Sequence, residues 1–184
     1  DKVAAALAER FAALVAGPHD LDLDLGALIN LRQKARVENY VRAAEEAGAK
    51  VLARGRIHEQ APKTGFYFPP VLFADVDPAE PLAREEVFGP VLALFAFEDE
   101  AEAVRLANGT EYGLVAGIWT RDGARQHRMA KRVRAGQVFV NAYGAGGGVE
   151  LPFGGFKKSG HGREKGFEAL FHMSATKTVV FRHG

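Results

Sequence analysis

Two stretches of this chain carry residue types that do chemistry. Residues 150–166, "ELPFGGFKKSGHGREKG", interleave glycines and cations with Phe153 and Phe156, directly behind the apolar run "GQVFVN". A phosphate cradle is the first chemistry to test, and it needs Gly-Lys-Ser/Thr opening a helix. "KKSG" has those types in an order that makes no nest leading into a helix, and neither "GAGGGV" nor "GHGREK" completes Gly-x-Gly-x-x-Gly after a strand. A nucleic-acid clamp would use Lys157, Lys158, Arg163 and Lys165, yet the whole chain has a formal charge of only +1. Four cations around one loop of a neutral chain are more simply a solvated face, and no nucleic-acid partner is expected. The third chemistry is a pocket wall. Pro152 stiffens the approach, Gly154 and Gly155 let the backbone come close to another surface, and Phe153 between them can project into a cavity.

The second stretch is "REEVFGPVLALF", residues 84–95, in which Glu85 and Glu86 precede an apolar strand and Phe88, Gly89 and Pro90 force a turn. A carboxylate at the mouth of a strand is placed to accept two hydrogen bonds from a ribose diol, where ligands of α/β folds commonly sit. The same carboxylates could simply face solvent or pair with Arg84, and the residues alone do not separate the two accounts. What the chain lacks is equally informative. It has 0 Cys, which removes disulfides, thiolate metal sites and a cysteine nucleophile together. Ser159 and Ser174 lie in no nucleophile-elbow pattern. His19, His58, His127, His161, His172 and His183 are never three or four residues apart, so no metal site is expected.

The elements that must position these residues follow from periodicity. The opening "DKVAAALAERFAALVAG" puts Val3, Leu7, Phe11 and Leu14 on one helical face, closed by Gly17 and Pro18. A second helix is predicted from about Asn30, its N-cap, to Ala47, with Val37, Tyr40, Val41 and Ala44 as its stripe and Gly48 behind it. Strands are predicted at "AKVLAR", "PVLF", "PVLALFAF", "YGLVAGIWT" and "GQVFVN". Between them lie "DEAEAVRLANG", with Asp99 and Glu102 in capping-box spacing, and "GARQHRMAKRVR", capped by Asp122. Strand and helix in alternation argue for parallel β-α-β units in one α/β body. A short helix from about Glu164 to Phe171 and a last strand, "TKTVVF", finish the chain; that strand either closes its own sheet or adds to a neighbouring subunit. With 184 residues, 47% hydrophobic and 26% charged, the composition is that of an ordinary globular chain. No apolar run reaches the length of a bilayer span and no signal-peptide pattern opens the sequence, so a cytoplasmic location without a membrane partner is the default. The start at Asp1, already inside a helical pattern, reads as a cut boundary.

Taken in order, "GFYFPPVLFADV", "REEVFGPVLALFAFEDEAEAVRLANGTEYGLVAGIWTRD", "RAGQVFVNAYG", "ELPFGGFKKSGHGREKG" and "TKTVVF" resemble the C-terminal part of the aldehyde dehydrogenase superfamily. The resemblance nearly covers the chain. It implies an α/β fold, a partial catalytic domain over residues 1–175 with a mostly parallel sheet, and a terminal oligomerisation strand over 176–184. It further implies a homo-oligomer, dimer or tetramer, acting on a small-molecule aldehyde with NAD or NADP. At matching positions, Glu86 looks like the carboxylate that holds the nicotinamide ribose and Phe88 like the aromatic against the nicotinamide ring. Phe153 matches an aromatic of the aldehyde tunnel, and Glu164 a glutamate proposed in some members to relay protons. The loop Ala142–Glu150, including Gly144, matches the tunnel mouth; its glycines suggest a roomy site. Family chemistry uses a cysteine thiolate, and neither it nor the general-base glutamate or the Rossmann-like domain is in this sequence. The chain alone is therefore expected to be inactive. A non-catalytic assembly or scaffold module is the alternative.

Overall fold

The computed structural model describes residues 2–144 and 148–184. In chain order the elements are α1 (Lys2–Ala13), β1 (Val15–Ala16), a 3-10 turn (His19–Leu21), α2 (Leu31–Glu46), β2 (Lys50–Arg54), β3 (Arg56–Ile57), β4 (Val71–Ala74), α3 (Pro81–Arg84) and β5 (Val91–Leu94). They continue as α4 (Glu100–Ala107), β6 (Tyr112–Gly113), β7 (Val115–Ile118), α5 (Gly123–Arg132), β8 (Gln137–Val140), β9 (Phe156–Lys157) and α6 (Gly166–His172). The chain forms two compact units, Asp1–Phe97 and Glu98–Gly184.

The first unit is organised around β4. It pairs antiparallel with β2 on one side and parallel with β5 on the other. Val71, Leu72 and Phe73 are each 0% exposed, so both faces of the strand are covered and the sequence there is apolar without alternation. Helix α2 covers one face. Asn30 caps it, its Oδ1 accepting from the amide of Gln33 at 2.8 Å, and Gly48 behind it sits at φ +92°, a backbone setting that glycine adopts without strain. Val37, Val41 and Ala44 of α2 join Phe68, Val71, Phe73, Leu82 and Val87 in one core cluster. The stripe expected on α1 is only partly covered: Val3 is 67% exposed, and the helix has no fully buried residue. Periodicity fixes that face of α1 but says nothing about what packs on it. A small parallel ribbon, β1 with β3, completes this unit.

In the second unit, β7, α5 and β8 make the expected parallel β-α-β unit, with Val115 opposite Gln137 and Ile118 opposite Val140. Helix α4 has its cap at Asp99, whose Oδ1 accepts from the Glu102 amide at 2.8 Å. The Glu102 carboxylate reaches back to the amide of Glu98 at 3.0 Å, one residue earlier than in the usual capping box. Asp122 caps α5 in the same way, accepting from the Arg125 amide at 3.0 Å. The sheets are mixed, because β6 and β9 pair antiparallel, as β2 and β4 do. Two endings differ from the sequence-based picture. Helix α6 starts at Gly166 rather than Glu164, because Glu164 bridges to Phe153 and Lys165 sits at φ 61°. The terminal run "TKTVVF" forms no strand and pairs with no described residue; Val180 and Phe181 are 80% and 77% exposed. Among the described residues no helix is long and apolar enough to cross a membrane.

Candidate functional site

The turn 85–90 enters β5 and is held from below by α2. Helical spacing puts Gln33, Arg36, Val37 and Tyr40 on one face of α2. Gln33 Nε2 donates to two successive carbonyls, Val87 at 2.8 Å and Phe88 at 3.0 Å. Arg36 Nη2 donates to the carbonyl of Glu86 at 3.1 Å and to the Tyr40 hydroxyl at 2.9 Å, and its guanidinium lies 4.8 Å from the centre of the Tyr40 ring. The two adjacent glutamates are thereby separated. Glu85 accepts a short hydrogen bond from the Tyr40 hydroxyl and lies 3.9 Å from Arg36. Its backbone is extended, which sends the next side chain to the other side. Glu86 is exposed, and its carboxylate has no hydrogen bond or ion pair among the described residues. Arg84, the partner that the simpler sequence account offered, bonds to neither glutamate.

Phe88 adds a second sign of function. It is 70% exposed and has φ 54°. For a side chain of this bulk the left-handed region costs about 1–2 kcal/mol, and such strain persists only where the surroundings over-determine it. Here the surroundings are the Gln33 amide and the core residue Val37, against which Gly89 is packed. The polypeptide thus keeps an exposed aromatic ring beside a carboxylate unpaired among the described residues, with Phe88 in a backbone setting that it does not favour by itself.

The second stretch is held by backbone pairing. Phe153 and Glu164 form an antiparallel bridge with reciprocal N–H···O bonds of 2.7 Å each. Gly154 fits because a Cβ there would stand 2.6 Å from the carbonyl oxygen of Gly162. The buried Gln137, at the start of β8, donates to the carbonyl of Pro152 at 3.4 Å. Phe153 is half-buried with the Lys165 ammonium 5.6 Å from its ring centre. Glu164 is exposed, and its carboxylate has no partner among the described residues. The four cations of this loop are engaged within the chain. Lys157 donates to the carbonyls of Asn108 and Thr110 at 2.9 and 2.7 Å, and Arg163 to those of Gly155 and Gly162 at 3.1 and 2.6 Å. Lys158 pairs with Glu111. These contacts brace the loop from inside.

The structure therefore groups the candidate residues in pairs: Glu86 with Phe88 in the first unit, Phe153 with Glu164 in the second. Gly144 lies in sequence between β8 and the second stretch, and among the described residues a Cβ on it would meet Phe139, at 3.7 Å. Residues 145–147 of the expected tunnel-mouth loop lie outside the described residues. Sequence reasoning missed Gln33 and Arg36. Their helical register with Tyr40 was visible, but their targets are backbone carbonyls some fifty residues away, which leave no mark on sequence.

Residues 1–179 match the sequence model of the aldehyde dehydrogenase family. The chain belongs to that family. It is 42% identical over 185 residues to a betaine aldehyde dehydrogenase of Sinorhizobium fredii (strain NBRC 101917 / NGR234), covering 100% of this chain and 38% of that protein. A crystal structure from Burkholderia cenocepacia in the same family superposes with a TM-score of 0.94 at 59% identity, over 100% of this chain and 38% of that one. A Mycobacterium tuberculosis aldehyde dehydrogenase complexed with NAD+ gives a TM-score of 0.90 at 37% identity, again over 100% and 38%. This aldehyde dehydrogenase chain thus spans about 38% of the length of the relatives it matches. Its α/β elements match part of a longer polypeptide in those relatives.

Proposed function

We propose that this chain supplies the nicotinamide-ribose contact and part of the aldehyde-binding wall of an NAD(P)-dependent aldehyde dehydrogenase, whose complete polypeptide oxidises an aldehyde to the carboxylic acid. The observation that carries the reading is the presentation of Glu86 and Phe88: a carboxylate with both oxygens available, next to an exposed ring held at φ 54°. The residues fit the cofactor. Two carboxylate oxygens can accept from the two hydroxyls of one ribose, and an aromatic face suits a flat nicotinamide. NAD+ or NADP+, when bound, takes up the hydride that leaves the aldehyde carbon.

This chain's own residues bind and orient. Glu86 fixes the ribose, Phe88 limits the tilt of the ring, and Phe153 closes one wall around the aldehyde chain. Glu164 can hold a proton on its carboxylate without breaking any bond made by its side chain, as a relay requires. No residue here supplies a thiolate, so the chain alone is expected to turn nothing over. The names of the curated relatives make a betaine-type aldehyde the first substrate to try. Octanal, bound in a Pseudomonas syringae relative of 39% identity, is the aliphatic comparison.

Replacing Glu86 by Gln in the complete polypeptide tests the reading. Losing charge-assisted acceptance from the ribose should raise KM for NAD+ about tenfold or more, with KM for the aldehyde little changed. An unaltered KM for NAD+ would remove Glu86 from the cofactor site.

A further inference from the structure

The geometry points to Lys165 as a specificity-determining residue, which turns the aldehyde site toward substrates that end in a carboxylate, the semialdehydes of dicarboxylic acids, and away from quaternary-ammonium aldehydes. The inference rests on the reading of Phe153 as part of the aldehyde-binding wall, and adds the chemical class that this wall accepts.

Lys157, Lys158 and Arg163 are committed to oxygens of their own chain. Lys165 is turned to an aromatic ring instead, its ammonium 5.6 Å from the centre of Phe153. Lys165 is exposed and Phe153 half-buried, so both are open to a ligand. The backbone explains how they meet. Phe153 and Glu164, paired in their bridge, share one face, and regular alternation would put Lys165 on the other. Lys165 leaves that alternation at φ 61° and ψ 178°, a region populated almost solely by glycine. Hydrogen bonds fix the main chain on both sides of it: Glu164 through its bridge to Phe153, and Gly166 through its N–H to the carbonyl of Val149 at 2.9 Å. A glycine at 165 would meet the same backbone without strain. What the lysine adds is a positive charge beside the Phe153 ring. A hydrocarbon chain packed against that ring runs past the ammonium, a compact charge on a flexible stem that suits a terminal carboxylate. A trimethylammonium end would face like charge there. Glu164 is the opposing charge next to Phe153 and would favour a cationic end, so the sign of the preference shows which side chain the substrate meets.

The test compares kcat/KM of the complete polypeptide for adipic semialdehyde, for hexanal, which has the same chain length and no charge, and for betaine aldehyde. The parent should prefer the semialdehyde to hexanal. Lys165→Met should lower kcat/KM for the semialdehyde about tenfold, leave hexanal within about twofold, and improve betaine aldehyde. Lys165→Gly, which suits the backbone at this position, should give the same pattern, so the loss cannot be assigned to a misfolded loop. KM for NAD+ should be unchanged in both variants. A loss of equal size for every aldehyde would make Lys165 a residue that supports the loop, and would overturn the inference. An unaltered preference in Lys165→Met would also overturn it, as would a parent that favours betaine aldehyde over the semialdehyde. If Phe153→Ala leaves KM for every aldehyde unchanged, the reading of the wall fails instead, so the two failures are distinguishable.

Discussion

Glu86 and Glu164 are held by the same principle. Each is anchored through its main chain, Glu86 by the Arg36 side chain and Glu164 by its bridge to Phe153, and neither carboxylate forms an ion pair among the described residues. Glu85, one residue before the first, shows the alternative, with its carboxylate tied to Tyr40 and Arg36. Sequence could say that two glutamates preceded a strand; it could not say which was free, because that depends on a helix some fifty residues earlier. At this scale Gly89 sets the tolerance of the turn. A Cβ there would run into the methyl groups of Val37, which is 0% exposed and, being β-branched, has little rotamer freedom. Gly89→Ala should lower stability by about 1–3 kcal/mol, read as a shift in the urea midpoint. A midpoint equal to that of the parent would show that the turn does not bear on α2 as described.

Helices α4 and α5 are braced by one carboxylate. Glu100, at the first turn of α4, meets Arg128 through both oxygens at 2.9 and 2.8 Å, with Arg125 at 3.5 Å and Arg132 at 3.6 Å on the same helix. The hydrogen bonds from Arg128, helped by its charge and that of Arg132, lower the Glu100 pKa from 4.5 to about 2. Because the folded value lies below the ordinary one, the brace contributes fully above about pH 4.5 and is lost as pH falls toward 2. The effect is modest, as the arginines are well exposed. Thermal unfolding followed from neutral pH to pH 2 should show a shallower acid loss in Glu100→Gln than in the parent. Parallel curves would mean that the brace does not persist in solution. Elements of this kind were largely legible in advance. Asn30, Asp99 and Asp122 cap their helices as their spacing suggested, and β7, α5 and β8 form the expected crossover, since caps and periodicity are local physics. Pairing between β6 and β9, or β2 and β4, is a long-range choice that local periodicity does not fix, and both pairs are antiparallel.

For the whole molecule, several long motifs in register pointed to the aldehyde dehydrogenase family, and the match over residues 1–179 bears that out. What sequence alone did not show was how the ends of the pattern are satisfied. The terminal run was readable as a strand, yet among the described residues it finds no partner, and Val180 and Phe181 are exposed. The division of labour at this scale is between holding and reacting. With no cysteine in 184 residues, the proposed function makes Glu86, Phe88, Phe153 and Glu164 residues that orient reactants and requires the bond to the aldehyde carbon to be made elsewhere. Trapping the covalent intermediate tests this most directly. The complete polypeptide is mixed with NAD+ and aldehyde, quenched in acid during turnover, digested, and the acylated peptide identified by mass spectrometry. The account predicts the acyl group on a cysteine outside these 184 residues; an acyl group on Ser159, Ser174 or any other side chain of this segment would contradict it.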